Sequence, residues 1–162
     1  MTLLMSAPTW LLAIVFLLFV LAAIEDMWRL RIHDWVSAGI AVGAFVAIAL
    51  DGPIVGLWEN LLLFSLILAI GTLIFALGLL GGGDIKLLAA SALWVDLDHG
   101  WKMLVAVALA GGVEMLIVTV IRYLPWPDSW RERGALLRRG EAIPYALAIG
   151  VGFAGISWVA RL

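Results

Sequence analysis

The sequence predicts an all-α fold, a polytopic membrane helical bundle of about six transmembrane helices built as one domain over residues 1–162. Three observations carry that expectation. Of 162 residues, 65% are hydrophobic and 14% charged, with mean hydropathy +1.13; soluble domains run at roughly 45–50% apolar and about 25% charged. Apolar runs near the roughly 20 residues that a span requires follow one another along the chain. The nine tryptophans fall near the ends of those runs, as aromatic residues at a membrane interface do.

Taken in order, the runs divide at charged or turn-forming clusters. Span one is expected from about Leu3 or Pro8 to Ile24, and the charged segment Glu25 to Asp34 breaks it. The start, Met1-Thr2-Leu3-Leu4-Met5, lacks the basic region of a secretory signal, so the first run is expected to stay as a membrane helix. Span two covers about Trp35–Leu50 and stops at the turn-forming Asp51-Gly52-Pro53. Span three runs from Asn60 to Leu80, with Gly81-Gly82-Gly83 after it as a flexible hinge. Span four is short, about Asp84–Val95, and ends at Asp96-Leu97-Asp98-His99-Gly100. Span five is about Trp101–Leu124, a polar loop follows from Pro125 to Gly140, and span six is about Ala142–Val159.

Basic residues set the orientation, because short cytoplasmic loops are enriched in them. Arg29, Arg31, Lys86, Arg122, Arg131, Arg133, Arg138 and Arg139 follow spans one, three and five, against only Lys102 and Arg161 on the other side. Both termini are therefore expected away from the cytoplasm. The net charge of −2 argues against a nucleic-acid partner, for which a basic surface is expected. The absence of cysteine excludes disulfides, a thiol nucleophile and cysteine-based zinc sites.

Within so apolar a chain, ionised side chains are costly and point to function. Gly81-Gly82-Gly83-Asp84-Ile85-Lys86 is the conspicuous case. Span one leaves the membrane on the same side at Glu25-Asp26, which puts Asp26 and Asp84 at one level although 58 positions separate them. Two carboxylates that converge at a wet membrane edge suit hydrolysis. One, ionised, takes a proton from water; the other, protonated, donates one to the carbonyl or the leaving amine. Close like charges push their two titrations apart and so supply both states. Asp84 begins a helix, whose N-terminus favours an anion, and Asp26 ends one; on that ground Asp84 is expected to be the ionised partner and Asp26 the protonated one.

These residues resemble a known family. Gly81-Gly82-Gly83-Asp84 matches the GxGD signature of membrane aspartyl proteases, and Ile85-Lys86-Leu87 continues it as type IV prepilin peptidases do. Asp26-Met27-Trp28-Arg29-Leu30-Arg31-Ile32 is similar to the first aspartate segment of those enzymes. Glu141 to Gly150, with Pro144-Tyr145, resembles the last helix of the short tight-adherence (Flp) pilus branch. The resemblance implies an aspartic endopeptidase of the bacterial inner membrane, its active site facing the cytoplasm, with Asp26 and Asp84 catalytic and Gly81, Gly83 and Lys86 supporting. It implies a prepilin substrate with a short basic leader, a Gly before the scissile bond and an apolar helix. No metal or organic cofactor is required by this chemistry. The larger bifunctional members carry a cysteine-rich region and N-methylate their product. Neither the cysteines nor a long loop between spans one and two is present, which implies peptidase activity alone. Ile32-His33-Asp34 departs from the family's Ile-Pro-Asn, and Ala146 stands where Gly is common.

Other features have plainer readings. Glu25 or Asp34 could replace Asp26 as the first acid, and Lys86 could be only a topological anchor. Glu114, midway along span five, reads as a protonated, hydrogen-bonded core residue or as a further site residue. Asp96-Leu97-Asp98-His99 reads as a solvated turn. Gly39 and Gly43 form a small-residue face suited to packing inside the bundle. Arg131, Glu132, Arg133, Arg138 and Arg139 suit contact with anionic lipid head groups. A small ion or proton transporter, or a non-catalytic scaffold, is the alternative function; acids at several depths would favour the transporter. The sequence assigns no oligomeric state.

Overall fold

The computed structural model describes residues 2–52, 56–127, 137 and 142–161. Arg131, Glu132, Arg133, Arg138, Arg139, Trp130 and Glu141 lie outside the described residues. The chain is helical throughout its regular structure: α1 (Leu3–Ser6), α2 (Thr9–Arg29), α3 (Asp34–Asp51), α4 (Leu57–Ala76), α5 (Gly82–Ala92), α6 (Leu97–Tyr123) and α7 (Ala146–Ala160). Among the described residues, four helices, α2, α3, α4 and α6, are long and apolar enough to cross a membrane, and α7 is a shorter apolar helix. The predicted helical membrane bundle is therefore correct. Its boundaries differ from expectation: α2 runs past Ile24 to Arg29, α4 ends at Ala76, α7 starts at Ala146, and the brief α1 precedes α2.

The short α5 is the centre of the bundle. Ile85, Leu87, Ala89, Ala90, Ser91 and Ala92 are all buried along it, and it packs against α3, α4 and α7. A helix enclosed by its neighbours need not match the thickness of lipid. Small residues let the backbones close in, as packing between membrane helices requires. A methyl group at Gly71 of α4 would lie 2.5 Å from the Ile85 side chain, and one at Gly152 of α7 would lie 2.9 Å from the backbone nitrogen of Val107 on α6. Gly39 and Gly43 turn inward likewise, towards Leu18 and towards Trp94 and Val15.

Trp94 corrects the interfacial reading of the tryptophans. It is fully buried, its indole N–H donates to the Ile40 carbonyl at 3.0 Å, and its ring meets Phe153 edge-on with centroids 6.3 Å apart. Phe16, edge-on, and Phe19, tilted, pack against the same Phe153 ring. Trp10, Trp28, Trp35, Trp58, Trp101 and Trp158 are exposed, consistent with an interfacial belt. At the end opposite the candidate site, Asp96 caps α6 by accepting from the His99 backbone N–H (2.9 Å) and contacts the His99 ring at 2.7 Å. That motif ends one helix and starts the next.

Candidate active site

The ends of α2, α4 and α6 and the starts of α3, α5 and α7 meet at one end of the bundle, where α2 and α5 each bring an acid to one cavity. At the end of α2, Leu30 takes a left-handed conformation (φ 52°) and its N–H donates to the Asp26 carbonyl at 2.8 Å. A non-glycine residue there costs about 1 kcal/mol or more. The sharp turn sends Ile32 across the start of α5. That crossing needs Gly83: a methyl group there would lie 3.1 Å from Ile32 Cβ and 3.4 Å from its carbonyl oxygen.

Asp84 is the third residue of α5, and its carboxylate accepts from the backbone N–H of Gly81, the residue that begins the helix. This is the backward half of a capping box, in which a side chain three residues into a helix satisfies the N–H at its start. Gly81 leaves the room: a methyl group on it would lie 2.7 Å from Asp84 Oδ2, whereas one on Gly82 would make ordinary contact with the Phe75 ring at 3.5 Å. Gly81 and Gly83 are therefore packing devices rather than parts of a flexible hinge. Gly81 has φ −71°, Gly82 and Gly83 are helical, and the positive φ nearby belongs to Gly78.

Asp26 is buried, with 5% exposure, inside the last turn of α2 rather than in the loop. Its Oδ2 accepts from the backbone N–H groups of Tyr145 (2.7 Å) and Ala146 (3.0 Å), at the start of α7. This changes the premise of the charge assignment argued from helix ends. Asp26 closes one helix but also sits at the N-terminus of another, where an anion is favoured. Both carboxylates occupy helix N-termini, so the asymmetry behind that assignment is absent.

Asp26 and Asp84 line the same cavity, of about 810 Å³. Leu30, Gly81, Tyr145 and, from α6, Ala108, Gly111, Gly112 and Met115 complete much of its wall. The rival acids are engaged elsewhere: Glu25 Oε2 lies 3.0 Å from His33 Nδ1, and Asp34 accepts from Lys86 Nζ at 2.7 Å. Lys86 is thus tied to α3 at the surface and does not line the cavity. His33 and Asp34, the departures from the family pattern, are the residues making those links.

Sequence reasoning underrated Tyr145 and Glu114. Tyr145 belongs to the stretch that resembles the family's last helix, a likeness that assigns it no role; its N–H holds Asp26, and its ring lies where a side chain at Gly111 would be. Glu114 is buried and accepts from the Ala148 N–H at 3.1 Å, in line with its reading as a hydrogen-bonded core residue.

The type IV leader peptidase family matches residues 12–120, two thirds of the chain, including both aspartates and Glu114. The chain belongs to that family. No curated protein and no solved structure matches it. Membership makes the chain a leader-peptidase-type protease in general, embedded in a membrane by several helices. The match ends before α7, so the contacts of Tyr145 and Ala146 with Asp26 come from the structure alone.

Proposed function

We propose that this leader peptidase is an aspartic endopeptidase that removes the leader of type IV prepilins of the tight-adherence (Flp) kind, at the cytoplasmic edge of the bacterial inner membrane. The observation that carries the reading is the shared cavity of Asp26 and Asp84, reached from two helix N-termini and fitted by Gly81 and Gly83. One carboxylate takes a proton from water as its oxygen attacks the carbonyl carbon of the scissile bond. The other gives its proton to the carbonyl oxygen, forming a tetrahedral intermediate. Collapse of that intermediate breaks the C–N bond, and a proton passes to the departing amine. The two acids titrate as a unit, with one proton between them in the working state.

Exposed apolar side chains stand at the cavity end of the bundle, Met27, Leu77 and Leu79 among them. A prepilin helix lying in the bilayer would present its cleavage site at that level. The enzyme is proposed to act without N-methyltransferase activity and without metal or organic cofactor; its Asp26–Asp84 pair supplies both acid and base. The test is processing of a Flp-type prepilin by the purified enzyme in lipid vesicles, read as a gel shift. The parent chain is expected to shorten the substrate, and Asp26→Asn and Asp84→Asn each to abolish shortening. Cleavage by either single variant at the parental rate would remove the dyad.

A further inference from the structure

A short helix that starts inside a membrane bundle leaves its first N–H groups without helical partners. The start of α7 is such a place, and Tyr145 makes no side-chain cap there. Asp26 of α2 takes the N–H groups of Tyr145 and Ala146. The next bonded N–H inward, that of Ala148, goes to Glu114 of α6. Two acids from two other helices thus hold one helix end. Glu114 is only 8% exposed, and an acid midway along a membrane helix is expensive unless it performs a task.

The rest of α6 works to the same end. One turn before Glu114, a side chain at Gly111 would occupy the place of the Tyr145 ring; one turn further back, Val107 packs against Gly152 of α7. Residues 107, 111 and 114 recur at helical spacing and so lie along one face of α6. Glu114 is the polar contact in that row, made to an N–H two residues beyond the Ala146 N–H that Asp26 accepts.

We propose that Glu114 is a positioning residue: by anchoring the start of α7 through the Ala148 N–H, it sets the placement of the Asp26 carboxylate against Asp84. It does not line the cavity shared by Asp26 and Asp84. The inference rests on the aspartic-peptidase reading for its kinetic arm and stands apart from that reading in its structural arm.

Glutamine retains an acceptor oxygen for the Ala148 N–H, and leucine does not. In the kinetic arm, Glu114→Gln is expected to keep kcat within about threefold of the parent, while Glu114→Leu lowers kcat by about tenfold to a hundredfold with KM unchanged, as misplacement of a reacting group does. In the structural arm, hydrogen exchange in detergent micelles follows the amides of residues 145–149. Exchange is expected to quicken about tenfold or more in Glu114→Leu and to stay parental in Glu114→Gln, because a buried amide then loses its acceptor. Parental exchange in Glu114→Leu would overturn the proposal. So would a tenfold fall in kcat for Glu114→Gln, which would place the ionisable proton of Glu114 in the reaction itself. A parent chain that cleaves no prepilin would count against the peptidase reading, and the exchange result would still decide the role of Glu114.

Discussion

Replacing Gly81 by alanine adds one carbon, and that carbon would lie 2.7 Å from Asp84 Oδ2. To restore ordinary contact at 3.4 Å or more, the carboxylate must retreat by about 0.7 Å. The backbone has no objection, because φ −71° and ψ 143° at Gly81 suit alanine. The side chain of Asp84 can turn away, so the change in stability is expected to stay within about 1 kcal/mol. Turning away, however, gives up the Gly81 N–H and moves a reacting group by most of an ångström, for which about tenfold to a hundredfold in rate is expected. Gly82→Ala is the internal control, since its new methyl meets Phe75 at an ordinary 3.5 Å. The assay is prepilin cleavage under multiple turnover, with thermal unfolding of each variant in the same detergent. Gly81→Ala should lose kcat and keep its melting temperature; Gly82→Ala should keep both. A Gly81→Ala enzyme with parental kcat, or equal damage from both substitutions, would refute this account of the glycines.

Three further outcomes are expected. Lys86→Ala should leave cleavage within about threefold of the parent, because the Lys86–Asp34 pair is exposed and such pairs contribute about 1 kcal/mol at most; a large loss of kcat would bring Lys86 into the site. Gly112→Leu should abolish processing, since a Cβ at Gly112 meets nothing within 4 Å and Gly112 lines the cavity shared by Asp26 and Asp84, so that the longer side chain fills it; undiminished cleavage would show that substrate does not use this wall. Trp94→Ala should destabilise by about 3–5 kcal/mol, as truncation of a buried aromatic does, seen as a lowered unfolding midpoint in detergent; an unchanged midpoint would contradict the central place of Trp94 in the core.

Much of this arrangement was legible in residue order. Apolar runs and their charged breaks gave the bundle, because in a membrane the cost of exposing polar groups fixes where helices end. Alternation of helix direction put Asp26 and Asp84 at one end, and the GxGD spacing marked Asp84. What escaped was set by contacts between distant elements. Trp94 looks interfacial because it stands near the end of a short apolar run; only the packing of α5 against α3 and α7 shows it inside. The spacing Gly-Gly-Gly-Asp reads equally as a hinge or as a tight fit, and the difference is whether Ile32 and the Asp84 carboxylate occupy the room a methyl would need. The environment of Asp26 depends on the start of α7, 119 residues away from it at Tyr145, which no local pattern around Asp26 reveals. A dipole argument from one helix end was therefore incomplete.

The central claim is that Asp26 and Asp84 act as one catalytic unit, and the most direct measurement is a double-mutant cycle on kcat for prepilin cleavage. Parent, Asp26→Asn, Asp84→Asn and the double variant are compared at saturating substrate. Residues that act as a unit give grossly non-additive losses. The account predicts that each single variant falls to the residual rate and that the double variant is no slower than either. Losses that multiply in the double variant, or a single variant that retains substantial turnover, would contradict it.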